Sequence, residues 1–477
     1  MTTGPAPSGR TGAGRHYVVV GGGITGLTAA FRLSAAGGTV TLIEPADRLG
    51  GKLQTSVFAG RPVDEAADAF LLRVRWGIEL CHDLEIDGEL ISPAERSAFI
   101  AVDDHLHRMP AGQLLGVPTD LDALAASGIV SPEGVARAAT DLDRGADSGD
   151  PGVDGPDVPI AAYLRGRLGD EVFDKLVDPL VGGINAGDTE RLSLAAVVPQ
   201  LDAAARSGDP SLIRSCQAQR ARATAPPDAP IFATPLGGMA RLVDALVGLL
   251  PDVDVRLGRR AVEVRPGSPG AIVVLDDGTE LAADGVVLAC PTDVAASLLR
   301  GPAPEAANLL AATEYGSVTL VTFGFARADV AHPLDGSGML VPHAEGRLLT
   351  ACSFSTSKWA QLRDPERDDV ILRASAGRHG DDRQLDLDDD ALVARLLDDL
   401  DATLGLSGAP SEVRVSRWTR SFPQYAPGHL DRCDQIDAIL AGALPSVAVT
   451  GAGLRGLGVP ACIRQATDAA THLLALP

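Results

Sequence analysis

The order of apolar and polar positions near the start of the chain predicts a β-α-β unit. The short β-branched run "HYVVV" (16–20) is typical of a buried parallel strand, and "TVTLIE" (39–44) predicts a second one. Between them, residues 24–36 place apolar side chains such as Leu27 and Phe31 at helical spacing. Parallel strands joined through a helix require a right-handed crossover, so this unit predicts the beginning of a parallel sheet.

The rest of the chain alternates between helical and strand patterns. Residues 86–180 carry helical patterns, interrupted by an acidic Gly/Pro/Asp stretch (145–159) that predicts a solvated loop. Residues 253–287 return to strands, and their "DDGT" turn predicts a hairpin. Further strands are predicted at 317–325, 338–343 and 347–354, a helix at about 389–404, and a final strand and helix in "SVAVTGA" and "CIRQATDAATHLLA". The first strand and this last strand-helix unit are expected to share one sheet.

Composition narrows the class of protein. A chain of 477 residues predicts two or three domains, and its net charge of -22 argues against nucleic-acid binding and weakens a case for attachment to anionic lipid. No apolar run is long enough to predict a transmembrane helix. Residues 1–14 lack the apolar stretch of a signal peptide and predict a disordered tail. Six scattered cysteines without a CxxC pair favour reduced thiols and a cytoplasmic protein, with peripheral contact to a membrane left open.

A glycine-rich loop follows the first predicted strand. Gly21-Gly22-Gly23-Ile24-Thr25-Gly26 fits GxGxxG, in which the first glycine permits a tight turn, the second lets a pyrophosphate approach the backbone, and the third packs the helix on the strand. The helix N-terminus then offers free N–H groups to phosphate. Glu44, 21 residues after Gly23, ends the second strand where a carboxylate can bind ribose. These features predict a dinucleotide site; a plain glycine turn is the alternative.

A second glycine turn favours FAD over NAD. In "EPADRLGGKLQT" (44–55), Arg48 and the pair Gly50-Gly51 stand just past the acidic residue. An NAD site does not need this turn, whereas it suits a long cofactor that continues beyond its pyrophosphate. An ordinary loop with a Gly-Gly turn is the competing interpretation.

Several motifs carry a family resemblance from about residue 16 to the end. Residues 44–52 resemble the "ExxxRxGG" signature of FAD enzymes of the amine oxidase and phytoene desaturase superfamily. Five further segments follow in order: "LHRMPAG" (106–112), "LVDPLVGGINAGD" (176–188), "TPLGGMARL" (234–242), "RWTRSFPQYAPGHL" (417–430) and "TGAGLRGLGVPACI" (450–463). In combination they resemble the bacterial protoporphyrinogen/coproporphyrinogen III oxidase family, and more closely its Gram-positive branch.

The resemblance implies an oxidase of haem biosynthesis. Members use FAD and O2 to remove six electrons from a porphyrinogen in three two-electron cycles that each release H2O2, so the flavin carries the chemistry and neither a catalytic side chain nor a metal is predicted. The resemblance favours coproporphyrinogen III as the substrate and suggests a transient contact with ferrochelatase. The alternatives are protoporphyrinogen IX oxidase, another flavin oxidase acting on amines or carotenoid precursors, a non-catalytic carrier, and a porphyrin-handoff protein.

The family's cofactor positions transfer to this sequence where the residues match. Val262 is expected to meet the adenine through its backbone and Trp418 to lie near the isoalloxazine, although either one is also consistent with a core residue. Residues 456–459 open the last predicted helix, whose positive end favours a reduced flavin. The complete predicted set is Gly21, Gly22, Gly23, Ile24, Thr25, Gly26, Leu27, Glu44, Pro45, Arg48, Gly50, Gly51, Lys52, Ala66, Ala67, Asp68, Ala69, Val262, Trp418, Gly451, Gly456, Leu457, Gly458 and Val459.

The substrate pocket is less well defined by the resemblance. A flat macrocycle with propionate edges needs an apolar slot with basic or amide groups at its rim; the predicted lining is Gly182, Asn185, Met339, Leu340 and Val341. Arg96, Arg108, Arg191 and Arg214 are candidates for the propionates, with surface arginine as the alternative for each. The chain departs from the family pattern at Ala66, Asn185, Ser375 and Ala461.

These observations predict an α/β fold (α+β overall) with a Rossmann-like domain built from separate segments. We expect an FAD-binding domain from 15–70, 230–300 and 440–477. A mixed-sheet substrate domain is expected from 71–85, 181–229 and 301–439. Residues 86–180 are expected to form a helical insertion that lines a tunnel or faces a membrane.

Overall fold

The computed structural model describes residues 12–145, 155–223 and 229–477. Most of the predicted tail (1–14) and part of the predicted loop (145–159) lie outside these ranges. Residues 12–14 form a turn in which the Gly12 N–H donates to the Ala36 carbonyl at 3.1 Å, so the prediction of disorder is wrong for these residues. Within the described ranges, none of the helices combines the length and the apolar character that crossing a bilayer requires.

Strands dominate the first part of the chain. The elements are β1 (His16–Val20), α1 (Ile24–Ala35), β2 (Thr39–Glu44), β3 (Thr55–Phe58), β4 (Arg61–Asp64), β5 (Phe70–Leu71), α2 (Arg75–Asp83), β6 (Leu90–Ile91), β7 (Phe99–Val102), β8 (His105–Arg108), β9 (Gln113–Leu114) and β10 (Val117–Pro118). Helices follow: α3 (Leu121–Ser127), α4 (Pro132–Ala139), α5 (Ile160–Leu168), α6 (Asp170–Val172), a π-helical turn (Phe173–Val177), α7 (Asp178–Asn185), α8 (Leu194–Val197), α9 (Pro199–Ala205) and α10 (Leu212–Ala221).

The remaining elements return to mixed strands and helices. They are β11 (Phe232–Pro235), α11 (Ala240–Gly248), β12 (Asp254–Leu257), β13 (Ala261–Pro266), β14 (Ala271–Leu275), β15 (Glu280–Ala283), β16 (Gly285–Leu288), α12 (Thr292–Leu299), α13 (Pro304–Ala311), β17 (Glu314–Ala326), β18 (Gly338–Leu340), β19 (Leu349–Phe354), α14 (Ser355–Lys358), β20 (Asp369–Ala376), α15 (Asp389–Leu404), β21 (Glu412–Gln424), α16 (His429–Ala443), β22 (Val447–Val449) and α17 (Val459–Ala475).

A five-stranded parallel sheet joins the two ends of the chain. Its order is β12-β2-β1-β16-β22, and β1 pairs with β2 on one side and with β16 on the other. Val18 and Val19 are fully buried because elements cover both faces of the sheet, which explains why these strands are continuously apolar. The predicted β-α-β unit and the shared sheet are therefore confirmed, and so is the α/β fold class.

A second, seven-stranded sheet has the order β21-β17-β20-β19-β18-β7-β8. The helix α15 packs its apolar stripe into the core of this sheet; Leu392, Leu396, Leu400 and Leu404 are all buried. Residues 389–404 have the predicted bounds because this four-residue spacing is a strong helical signal. The predicted "DDGT" hairpin is likewise present as β14 and β15.

The helices α3 to α10 form one cluster, which we call the helical cluster (121–145 and 155–221). Its buried side chains run from Leu124 to Cys216 and share a single core. It therefore starts later and ends later than the predicted insertion (86–180). Residues 90–118 instead form short strands, and β7 and β8 extend the seven-stranded sheet, because Ile100 and Phe99 alternate between two apolar environments.

Candidate active site

The carboxyl ends of β1 and β22 meet at one edge of the parallel sheet. The glycine loop 21–26 follows β1, and the turn 450–458 follows β22. The helices that begin after them, α1 and α17, pack against each other. Two segments more than 400 residues apart in the sequence thus present their helix N-termini side by side.

Two of the three glycines of the loop, Gly21 and Gly26, have the structural roles predicted from the sequence, and the approach of a pyrophosphate at Gly23 stays a prediction. Gly21 has φ +110°, which only glycine adopts without strain. A Cβ on Gly26 would lie 1.8 Å from the carbonyl oxygen of Gly21, so a side chain there is excluded by the packing of α1 on β1. A Cβ on Gly23, in contrast, would meet no atom within 4 Å. The loop is therefore closed on the protein side and open at Gly23, where a pyrophosphate needs access.

Both helix N-termini at this edge keep free N–H groups. The first hydrogen bonds of the helices are from Leu27 N–H to Gly23 O (2.9 Å) and from Cys462 N–H to Gly458 O (3.0 Å). Neither N-terminus has a side-chain cap, since Gly23 and Gly458 occupy the capping positions. Within the described part of the chain, the N–H groups of Ile24 and Val459 have no partner. Together with the helix dipoles, these donors fit the phosphates of a flavin dinucleotide and the negative charge of its reduced ring.

The second glycine turn packs against the first. Gly50 N–H donates to Gly22 O at 2.8 Å, and Arg48 Nη2 donates to Gly51 O at 2.7 Å. Gly51 has φ +56°, and a Cβ there would lie 3.2 Å from the Cα of Gly23. The turn therefore forms part of the wall of the open region at Gly23.

Lys52 extends from this turn towards the other sheet. Its ammonium group donates to the carbonyl of Ser421 in β21. Among the described residues, no carboxylate lies within ion-pair distance of it. Desolvation by the surrounding protein lowers the pKa of Lys52, while Cys462 opposes this shift. An ammonium group without a carboxylate partner favours an anionic ligand nearby.

Glu44 lies at the end of β2, directly beside the glycine loop. Its Oε2 accepts the Gly22 N–H at 2.7 Å and its Oε1 accepts the Ala46 N–H at 2.9 Å. A carboxylate oxygen has room for a second hydrogen bond, so both oxygens remain able to accept from ribose hydroxyls. The internal bonds fix the orientation of the side chain.

Val262 is exposed to solvent, whereas Trp418 is half-buried. Val262 lies at a bulge in β13, where it has no partner in the ladder, and its side chain is 48% exposed, so the alternative interpretation of a core residue is excluded. Its backbone groups are free to contact a ligand. Trp418 is half-buried and donates from its indole nitrogen to the Glu65 carbonyl at 2.8 Å. Flavin contact by either residue stays a prediction.

The loop 64–69 is held by two cations, Arg373 of β20 in the seven-stranded sheet and Lys358 of α14. The Asp68 carboxylate is 2.8 Å from Lys358 Nζ and 3.2 Å from Arg373 Nη2, and Trp359 donates to it at 3.2 Å. Burial alone would raise the pKa of Asp68, but these cations keep it below its usual range. Because the carboxylate is committed to them, the backbone of residues 66–69 is the part available to a cofactor.

Sequence reasoning missed Lys358, Arg373 and Asp64. Arg373 also donates to the carbonyls of Asp64 and Ala66, both at 3.0 Å. Burial raises the pKa of Asp64 to about 6, against hydrogen bonds from Thr55 and Met239. One available signal was the rarity of lysine: the chain contains only three, and two of them, Lys52 and Lys358, lie at this site.

The predicted substrate residues lie on two sides of the seven-stranded sheet. Met339 and Val341 are buried in the core that α15 covers. Leu340 points the other way, because side chains alternate along a strand, and packs against the helical cluster. A Cβ on Gly183 of α7 would lie 3.7 Å from it. Leu340 is therefore the residue of the three that can line a slot next to α7.

Two other predicted substrate residues belong to α7. The Asn185 side chain donates to Val181 O at 2.8 Å, so this amide nitrogen is used within its own helix. A Cβ on Gly182 would lie 3.2 Å from Asp178 Oδ1, which makes Gly182 a close-packing position. Contact of these residues with a substrate stays a prediction.

The four candidate arginines all have partners within the chain. Arg96 is engaged within the chain. The other three form ion pairs: Arg108 with Asp335 (2.6 Å), Arg191 with Glu314 (2.8 Å) and Arg214 with Asp209 (2.7 Å). Binding of a propionate by any of these three would require exchange of an existing carboxylate partner.

Known proteins resemble this chain over nearly its whole length. The chain is 32% identical to coproporphyrinogen III oxidase of Bacillus subtilis (strain 168), covering 96% of this chain and 98% of the relative. Identity to coproporphyrinogen III oxidase of Mycobacterium bovis is 36%, covering 96% and 97%. The crystal structure of a protein described as a protoporphyrinogen oxidase from Exiguobacterium sp. 255-15 matches with a TM-score of 0.86 at 28% identity, covering 97% and 99%.

The family model agrees with the geometry of the site. The model of the flavin containing amine oxidoreductases matches residues 24–474, which include both helix N-termini, the loop 64–69 and the seven-stranded sheet. A protein with two uncapped helix N-termini at one sheet edge has the features that a flavin dinucleotide needs. This chain belongs to the flavin containing amine oxidoreductase family.

Proposed function

We propose that this chain catalyses the FAD-dependent, oxygen-consuming oxidation of coproporphyrinogen III to coproporphyrin III in haem biosynthesis. The observation that carries the proposal is the open, donor-lined edge at Gly23 and Val459 in a chain similar over nearly its full length to coproporphyrinogen III oxidases. When bound, FAD supplies the acceptor for hydrogen removed from the substrate and returns the electrons to O2. The chain itself binds and orients both partners.

The nucleotide half of the cofactor has a defined set of supports. The N–H groups at the start of α1 bind phosphate, and the open position at Gly23 lets the pyrophosphate approach the backbone. Glu44 orients the ribose through the oxygens that Gly22 and Ala46 already hold in place. These groups fix the cofactor before any substrate binds.

Positive charge and helix dipoles support the isoalloxazine half of the cofactor. The N-terminus of α17 and the ammonium of Lys52, which has no carboxylate partner among the described residues, stabilise negative charge on the cofactor. Two-electron reduction of the cofactor is therefore easier. The Lys358–Asp68–Arg373 cluster holds the loop 64–69 against the seven-stranded sheet. The substrate slot in this proposal lies beside Leu340 and α7.

Protoporphyrinogen IX is the second candidate substrate. Its supporting observation is the match to the protein described as a protoporphyrinogen oxidase, at a TM-score of 0.86. The two tetrapyrroles differ in the number of propionates. Binding of the extra propionates of coproporphyrinogen III by the ion-paired candidates Arg108, Arg191 or Arg214 would require rearrangement of an ion pair.

The decisive experiment compares both porphyrinogens on the same enzyme. Purified holoprotein is mixed in air with anaerobically prepared coproporphyrinogen III or protoporphyrinogen IX, while porphyrin fluorescence and H2O2 are recorded. We expect faster turnover of coproporphyrinogen III, with about three H2O2 for each porphyrin formed. Flavin-loaded protein that oxidises neither compound would refute the proposal, and faster protoporphyrinogen IX oxidation would select the second candidate.

Two finer expectations accompany this function. Because metal insertion is the next step for a porphyrin in haem biosynthesis, we propose a transient contact with a ferrochelatase. The six cysteines, all of them free thiols, support a cytoplasmic location. A pull-down with purified ferrochelatase and fractionation of cells test the two expectations separately.

A further inference from the structure

Two stacked, buried aromatic side chains, Tyr425 and His429, hold the turn 450–458 that leads into α17. The Tyr425 hydroxyl donates to the Ala452 carbonyl, and His429 Nε2 donates to the Leu454 carbonyl at 2.5 Å. The two rings stack with centroids 4.2 Å apart, and their exposed fractions are 2% and 1%. Both carbonyls are thus fixed by side chains at the junction of β21 and α16, Tyr425 just after the strand and His429 at the first position of the helix.

The surroundings of His429 determine which nitrogen carries the proton. Arg432 lies 3.3 Å from Nδ1 and can only donate to it, so Nδ1 accepts and Nε2 carries the hydrogen. Desolvation lowers the pKa of His429 to about 4, against the hydrogen bond with Leu454. The ring is therefore neutral near neutral pH and donates to the turn.

The same junction is also tied to the helical cluster. Ser193 N–H donates to the Tyr425 carbonyl at 2.7 Å. Asp157 Oδ2 accepts the Gly428 N–H at 3.0 Å and the Ser193 hydroxyl at 2.6 Å. The main chain of Tyr425 is therefore anchored to the helical cluster, while its hydroxyl reaches the turn at the sheet edge.

Fixing a carbonyl also fixes the direction of the next N–H. In a trans peptide the C=O and N–H point to opposite sides, so an Ala452 carbonyl held by Tyr425 directs the Gly453 N–H away from Tyr425. Within the described ranges, this N–H and that of Leu457 have no partner. The Leu454 carbonyl, held by His429, restrains the same turn at a second point.

We propose that Tyr425 and His429 are positioning residues for the flavin reaction: by holding the carbonyls of Ala452 and Leu454, they align the free N–H groups of the turn 451–459 for the cofactor. The proposal rests on the proposed flavin function but goes beyond it, since neither side chain needs to touch flavin or substrate. The alignment strengthens the site's preference for a negatively charged, reduced cofactor.

The test removes one hydrogen bond at a time. Tyr425→Phe keeps the ring stack and loses the hydroxyl, and His429→Leu loses the donor, whereas His429→Gln retains an N–H near the position of Nε2. We expect Tyr425→Phe and His429→Leu to bind FAD about tenfold more weakly and to lower the flavin reduction potential. With coproporphyrinogen III, kcat falls while KM changes little, and His429→Gln recovers most of the wild-type potential.

A matched control separates positioning from stability. Ser211→Ala removes a buried hydrogen bond to Asp141 (2.8 Å) in the helical cluster, away from the turn. It is expected to lower the melting temperature and leave the reduction potential unchanged. If Tyr425→Phe and His429→Leu behave in the same way as this control, their role is structural and the inference is wrong. Wild-type protein that binds no flavin would instead overturn the proposed function.

Discussion

Gly26 and Gly21 are in such close contact that no side chain fits between them: a Cβ on Gly26 would lie 1.8 Å from the Gly21 carbonyl oxygen. We predict that Gly26→Ala lowers the stability of the apoprotein by about 1–3 kcal/mol, because α1 must move away from β1. Thermal unfolding of the apoprotein checks this, with Gly23→Ala as the control, since nothing lies within 4 Å of a Cβ there. Equal melting temperatures for both variants would contradict this account of the loop.

Gly23→Val separates folding from cofactor binding. The backbone of Gly23 is in an extended conformation (φ -74°, ψ 179°) that valine adopts readily, and no atom lies within 4 Å of a Cβ placed there. We therefore expect an apoprotein that melts within about 0.5 kcal/mol of the wild type but purifies without colour, because the branched side chain occupies the path of the pyrophosphate. The absorption spectrum of the purified variant is the measurement. Stoichiometric flavin in this variant would mean that the pyrophosphate does not bind at Gly23.

Asp64 makes the stability of the apoprotein depend on pH. Burial raises the pKa of Asp64 from 3.8 to about 6, so the folded state binds more protons than the unfolded state between these values. The contribution of protonated Asp64 to the free energy of unfolding is complete below about pH 4 and is lost as the pH rises through 6. A shift of this size corresponds to about 3 kcal/mol.

The measurement compares Asp64→Asn with the wild type. Between pH 4.5 and 7.5 the wild-type melting temperature should fall relative to that of the variant, whose amide cannot ionise. Asp68→Asn provides the opposite case: the pKa of Asp68 is lowered, so its contribution is present above the unfolded pKa and is lost as the pH falls. Parallel pH profiles for wild type and Asp64→Asn would exclude this role for Asp64.

Leu340 and Met339 are adjacent residues with different expected roles. Leu340 faces the helical cluster, so Leu340→Ala should raise the KM for coproporphyrinogen III by up to about tenfold with a small change in stability. Met339 is 2% exposed in the core under α15, so Met339→Ala should cost about 2–5 kcal/mol and leave KM near the wild-type value. Steady-state kinetics and thermal unfolding of both variants test the assignment, which fails if KM rises only for Met339→Ala.

Local patterns predicted the nucleotide-binding part well. The bounds of β1 and β2 agree with the expected residues 16–20 and 39–44, because β-branched runs bounded by glycine have few other stable conformations. The roles of Gly21 and Gly26 followed from their spacing alone, since the tight turn at Gly21 and the contact of Gly26 with the Gly21 carbonyl both lie within the loop. Motif order led to the family, which the comparisons confirmed.

Other expectations failed where the structure of a segment depends on residues far away in the sequence. Residues 90–118 carry no signal that they extend a sheet formed mostly after residue 310, and α8 to α10 join the helical cluster through a core spread over about a hundred residues. We expected Met339, Leu340 and Val341 of the predicted strand 338–343 to line the substrate slot together. Because side chains alternate along a strand, Met339 and Leu340 instead lie on opposite faces of the sheet.

The sequence by itself determined the β-α-β unit, the glycine loop and the choice of a flavin dinucleotide, because these depend on backbone conformation and short-range spacing. Only the tertiary structure decided that Asp68 is held by Lys358, 290 residues away, and that Tyr425 and His429 hold the turn before α17. The physical reason is that a buried charge or donor is stable only with its partner in place. The tertiary fold, and not the local sequence pattern, brings such partners together.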